Sequence, residues 1–374
     1  MTEKLRQLMH DEVSDLTPPA PDAAIVLAEG RRLRRRSRVT TAVSAVAVAA
    51  VVVTTAGFIA QNTGDSGAKD PGPAGSTAVD AAPPAYGVGS DVHLGEVVAQ
   101  VPDTVHSLHY TSVGVLVRSN PNDGASDGSG PESLTLVRWD GSTADLGTIP
   151  EGVGPATDPD RDVYALAEAD GDGFVAVVRD VETGETVAEV DLPDLPKSYW
   201  EVPPLALDGD TLYVGYRNEA AAVDLTTGEQ SPAAGLGGGI PDVHGGRTDF
   251  HSIEANEVSV LDARSGEELL SLDVLGSGSL SPDGEYLLLL TPGASVFGRD
   301  TSPFEVHHVE SGSSVTIDEP ADGWGWTADG ALVRVGRDAL TVCDPSTGEC
   351  TETPLSPALP KNAMPRLGGR LYES

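Results

Sequence analysis

A five-residue turn, Asp followed by two residues, Ser or Thr, and then Gly, recurs along the chain and restricts the fold more than any other feature. It occurs as DVETG from Asp180, DLTTG from Asp224, DARSG from Asp262 and DPSTG from Asp344. HVESG from His308 keeps the spacing with His in place of Asp, and WDG at Trp139 to Gly141 is a looser copy. An Asp side chain at such a place folds back onto nearby backbone N–H groups, while Gly accepts the positive φ that closes a hairpin loop. The glycines at 141, 184, 228, 266, 312 and 348 are 43, 44, 38, 46 and 36 residues apart. Steps of this size are blade lengths of a β-propeller.

A second turn precedes several of these hairpins: Ser281-Pro282-Asp283-Gly284, Thr327-Ala328-Asp329-Gly330 and Leu207-Asp208-Gly209-Asp210. Two turn signals and at least three short apolar runs per unit describe a four-stranded meander rather than a βαβ unit. An open sandwich gives no reason for a turn repeated every forty residues or so. The hairpins predict six full blades near 103–150, 154–192, 200–236, 243–275, 278–319 and 323–356. SDVHLGEVVAQV before them and AMPRLGGRLYES after them are left over. Strands from the two ends commonly share one blade, which leaves few open edges. The expected fold is therefore an all-β propeller over 91–374, with seven blades the choice and six the near alternative.

The SPDG turn and the D-x-x-[ST]-G hairpins resemble those of TolB-type and WD40-like propellers, and the basic, apolar N-terminal segment ahead of them resembles that of exported propeller proteins of actinobacteria. True WD40 blades carry repeated WD and GH dipeptides, whereas here only Trp139-Asp140 occurs. The resemblance implies a disc that presents a surface for binding.

Residues 39–60 form an uncharged apolar run preceded by Arg31, Arg32, Arg34, Arg35, Arg36 and Arg38. As a helix this run reaches about 33 Å, enough for a hydrocarbon core of about 30 Å. Arginine clusters stay on the cytoplasmic side, so residues 1–38 are expected inside the cell and the propeller outside. A cleaved export signal is the competing reading, but its apolar core is shorter, about 7–15 residues, and its basic head is short. Within 1–38, Leu5, Leu8, Met9, Val13 and Leu16 lie along one stripe of a short amphipathic helix, which could dock a cytoplasmic protein. Residues 61–90, rich in Gly, Pro, Ala and Ser, read as a disordered spacer.

The chain carries a net charge of −35. Eight basic and six acidic residues fall within 1–38, leaving 15 basic against 52 acidic beyond it. So acidic an outer part repels phosphate backbones, and no nucleic-acid partner is expected. An exported location permits a disulfide between Cys343 and Cys350 across a hairpin, with a reduced pair as the rival. Glu168, Asp170 and Asp172 alternate like the first half of a calcium loop, but Arg179 stands where a bidentate Glu would be needed. Trp324 and Trp326, with Trp200, are either a recognition surface or packing between blades. The eight histidines do not cluster, and no nucleophile, phosphate-loop or zinc-protease motif occurs. No cofactor is expected. The expected function is a single-pass, membrane-anchored binding module with a protein or cell-envelope ligand. The alternatives are an anti-sigma-like signalling regulator and a lyase or hydrolase with its site in the channel.

Overall fold

The computed structural model describes residues 82–369, apart from 123, 125–129, 153, 172, 193–201, 216–218, 237–241, 253, 291–302 and 322. The expected cytoplasmic segment, the expected membrane helix and residues 61–81 of the expected spacer lie outside that range. Among the described residues, no helix is long and apolar enough to cross a membrane.

Seven antiparallel sheets follow one another along the chain. Five continuous four-stranded sheets span 104–149 (blade 1), 156–191 (blade 2), 205–232 (blade 3), 277–317 (blade 5) and 324–354 (blade 6). The sheet at 247–272, blade 4, has three strands among the described residues, and His244 ahead of them is bridged to Arg247. Blade 7 is composite: Arg366–Leu367 from the C-terminal end pairs with Ala85–Val88, followed by Asp91–Leu94 and Val97–Gln100. The shared closing blade thus has the form read from the two leftover segments. Ala85–Val88 falls inside the span read as spacer. Its run Ala-Tyr-Gly-Val is short, but Ala85 and Tyr86 are buried against neighbouring strands, so the sheet region begins ahead of Asp91.

The burial pattern follows strand position. Gly114–Asn120, second in blade 1, is buried at every residue, whereas the fourth strands Gln230–Pro232 and Cys350–Pro354 are exposed at every residue. Polar outer strands keep the rim from pairing with other chains. Apolar side chains collect between adjacent sheets. Leu116, Leu136, Tyr164 and Leu166 join blades 1 and 2, and Leu288, Phe304, Trp324 and Leu332 join blades 5 and 6. Each blade therefore buries both faces against its neighbours, so one blade alone is not a stable unit.

The repeated hairpins connect third to fourth strands. In each, the Asp does what its spacing requires. Asp180 Oδ1 accepts from Glu182 N at 3.0 Å, Thr183 N at 2.8 Å and Thr183 Oγ1 at 2.9 Å. Gly184, at φ 70°, donates to Asp180 O at 2.9 Å. Asp224, Asp262 and Asp344 repeat this pattern. At His308 the imidazole takes over, its Nδ1 accepting from Ser311 N at 3.2 Å. Antiparallel strands put the first–second and third–fourth turns of every blade on one face of the disc and the remaining connections on the other.

Candidate functional site

The first strands of the blades surround a central channel that holds a cavity of about 320 Å³. Its wall is largely apolar and aromatic, with Val243, Leu280, Pro203 and Trp326, and its charged lining residues are Asp242 and His244 on blade 4. Tyr110 of blade 1 closes the ring. Its hydroxyl donates to Trp326 O on blade 6 at 3.1 Å, and its ring lies over Gly368, where a Cβ would come within 2.4 Å of Tyr110 Cζ. The contact crosses blade 7, whose inner strand is only two residues long.

On the blade-1 side, charged groups are buried behind the wall. Arg118 is 2% exposed and Glu132 0%. Arg118 Nε donates to Glu132 Oε2 at 2.7 Å, and Nη2 stands 2.6 Å from the same oxygen. Glu132 Oε1 accepts from Asn120 Nδ2 at 2.8 Å and lies 2.8 Å from His106 Nδ1. Burial pushes the Glu132 carboxyl up, but His106, Arg118 and Asn120 outweigh it and hold the group at about 2. His109, 7% exposed, lines the channel, with its Nε2 2.9 Å from Ser107 Oγ. Burial, with Arg118 and His106 adding to it, lowers its pKa to about 3, so the ring is neutral at physiological pH.

On the blade-4 side, His244 Nε2 and Asp242 Oδ1 are 2.9 Å apart. Burial alone would lower the His244 pKa, but Asp242, Asp208 and Asp249 together raise it above its ordinary value. Burial, and then Asp242, push the Asp249 carboxyl up. Asp249 lies on Arg247–Ser252 and faces blade 5, where a Cβ on Gly278 would stand 3.1 Å from its Oδ2. The turns on this rim are joined from blade to blade: Asp158 Oδ2 accepts from Gly209 N at 2.6 Å, and Asp208 Oδ2 accepts from Gly246 N at 2.8 Å.

The residues singled out from sequence fare differently. Trp324 and Trp326 are 2% and 5% exposed, pack into the blade 5–6 interface and border the central cavity. Trp200 and Asp172 lie outside the described residues. Glu168 is engaged by Arg179, whose Nη2 donates to its Oε1 at 2.6 Å, and among the described residues no cluster fit to hold a metal is found. Cys343 and Cys350 face each other across the blade-6 hairpin as a disulfide, with Cα atoms 4.0 Å apart. The channel groups His109, Asp242 and His244 did not emerge from the sequence. The signals available were faint: the i, i+2 pair in DVH at 242–244 and single charges inside the apolar strands GVLVRSN and ESLTLVR.

The structure defines the chain as a seven-bladed β-propeller. Compared with protein-family models and with curated proteins, the sequence matches none. Among solved structures it is similar to TolB from Acinetobacter baumannii at 10% identity and TM-score 0.40, over 76% of this chain and 66% of that one. It is similar to hydrazine synthase from Kuenenia stuttgartiensis at 15% identity and TM-score 0.39, over 65% and 77% of the two chains. It is also similar to Hsv2 from Kluyveromyces lactis at 11% identity and TM-score 0.38, over 64% and 74%. The propeller assignment stands on the strand pairing of this chain itself.

Proposed function

We propose that this chain is a non-enzymatic, membrane-anchored binding module whose propeller faces away from the cytosol. One observation carries the binding reading: the two sets of Asp-fastened turns emerge on a single face around the channel mouth, which makes that face rigid before any partner arrives. A preorganised surface loses little freedom on association, which favours affinity. The arginine-led apolar run at 31–60 supports the anchor and its orientation. The test is photo-crosslinking from that face on intact cells, together with protease added to whole and to lysed cells. Crosslinks to an envelope component and cleavage of the propeller in whole cells are expected. Cleavage only after lysis reverses the topology and refutes the proposal.

A second reading rests on the stripe of Leu5, Leu8, Met9, Val13 and Leu16. In that reading the inner segment docks a cytoplasmic regulator, sigma-factor-like in role, and the propeller senses the envelope. Full-length protein that captures no cytoplasmic partner, or captures one equally well after Leu8→Asp, excludes it.

A further inference from the structure

We propose that the segment Arg370 to Ser374 occupies the central channel of its own propeller, with Leu371 and Tyr372 against the apolar wall and the Arg370 guanidinium toward Asp242. The inference goes beyond the binding-module reading and does not depend on it.

Position is the first ground. Arg370 to Ser374 lie outside the described residues and follow directly on Gly369, which itself borders the cavity. The backbone is held at that point from two sides: Gly368 N donates to Ala85 O on blade 7 and Gly369 N to Leu108 O on blade 1, each at 2.9 Å. Gly369 has a φ of 69°, in the left-handed region, so the chain turns out of the Arg366–Leu367 strand at the cavity wall. A Cβ on Gly369 would stand 3.1 Å from Cδ2 and Cε2 of Tyr110, so that ring closes one side of the turn. Five residues span at most about 17 Å. That is long enough to enter a cavity of about 320 Å³ whose wall includes Gly369.

The second ground is shape and polarity. Leu205, Val243, Leu280, Trp324 and Trp326 make the wall apolar and aromatic. Leu371 and Tyr372 are adjacent in an otherwise polar segment. Neighbours along an extended chain point to opposite sides, so on a flat surface one of the two stays in water, whereas inside a channel both meet wall. Tyrosine suits a wall that is apolar with a few polar atoms, and Ser277 and Thr157 supply oxygens for its hydroxyl. Glu373 and Ser374 are left for the channel mouth.

The third ground is charge. Asp242 and His244 are the charged groups among the described wall residues, and neither Lys nor Arg is among them. Asp208 and Asp249 also act on His244, so the region stays negative with the imidazole protonated. Beyond residue 38 the chain has 15 basic residues against 52 acidic ones, and Arg370 is the basic one that directly follows a residue of the wall. A guanidinium there is attracted to Asp242 across a channel of low dielectric.

The experiment has two arms, both on the full-length protein in nanodiscs. In the first, benzoylphenylalanine at position 372 is photo-activated and the crosslinked peptides are mapped by mass spectrometry. Crosslinks within the same molecule to the strands at 205–208 or 324–326 are expected, at a yield independent of protein concentration. Crosslinks only to outer strands, crosslinks that depend on concentration, or none at all overturn the inference. In the second, the peptide acetyl-Arg-Leu-Tyr-Glu-Ser-amide is titrated and followed by tryptophan fluorescence. A tethered segment competes at high effective concentration, so the double variant Leu371→Asp with Tyr372→Asp should bind the peptide about tenfold or more tightly than the parent protein. Adding Asp242→Asn to that variant should weaken the peptide again. Equal binding by parent and double variant, or no binding by either, refutes self-occupation of the channel and leaves the binding-module reading untouched.

Discussion

Glu132→Gln tests whether the buried ion pair behind the channel wall holds blade 1 together. The carboxylate is fully buried and takes Arg118, Asn120 and His106 at 2.6 to 2.8 Å. Gln keeps the shape and the Asn120 bond but leaves the Arg118 guanidinium buried without a counter-charge. Breaking one side of a buried pair costs about 3–5 kcal/mol. Linkage gives a second route to the magnitude. A carboxyl held at about 2 instead of its ordinary 4.5 contributes about 3 kcal/mol. The folded value is depressed, so this contribution is present in full above pH 4.5 and is lost as the pH falls through about 2. Urea unfolding of the full-length protein, followed by tryptophan fluorescence at pH 7 and at pH 3, measures both. The variant is expected to lose about 3 kcal/mol at pH 7 and less at pH 3. A loss below about 1 kcal/mol at pH 7, or an equal loss at both pH values, refutes the reasoning. The double change Arg118→Met with Glu132→Leu should recover only part of the loss, since it removes the unpaired charge but takes the carboxylate from Asn120 and His106 as well.

Ring closure depends on two residues of inner strand, so Gly368→Ala, which drives a Cβ to 2.4 Å from Tyr110 Cζ, should cost about 1–3 kcal/mol. Tyr110→Leu in the same background should relieve part of it, measured as a non-additive double-mutant cycle. Replacing Cys343 and Cys350 together by Ser opens a loop with a sequence separation of 7, for which chain entropy gives about 2.5 kcal/mol. Thermal unfolding with and without reductant checks it, and the reductant should then no longer affect the variant. Asp262→Ala removes the bonds from Ser265 N and Oγ, each 2.7 Å long, and should cost about 1 kcal/mol. His308→Asp, which restores the repeat, should stabilise, and a lower urea midpoint for it would count against the turn mechanism.

The turns and the meander could be read from the sequence because their causes are local. Asp224 meets Thr226 and Thr227 within three residues, so a five-letter pattern contains the whole hydrogen-bonded unit. The same holds for blade count, since the turn or a variant of it occurs once in each of six sheets. The composite blade was readable for a different reason: two leftover strand-like ends have no partner except each other. The channel was not legible because its parts lie far apart in the chain. Tyr110 bonds to a carbonyl 216 residues away, and Asp249 approaches Gly278 across the blade 4–5 interface. Alternation likewise placed Trp324 and Trp326 on one face of a strand, but not which face. The blade 5–6 interface decided it, by packing Phe304 against Trp324 at a ring distance of 5.2 Å.

The difference between local and distant causes also bears on what the fold can specialise. Turns set by adjacent residues hold the rim whatever lines the channel, so inner-strand residues can change without altering the disc. Blade 4 illustrates this. It keeps the Asp262 hairpin and the Gly246 link to Asp208, and it contributes Asp242 and His244 to the channel wall. The link runs through a backbone N–H that any residue except proline supplies. Turns kept from blade to blade leave the channel residues free to differ, and Asp242 and His244 of blade 4 are the charged groups among the described residues of its wall.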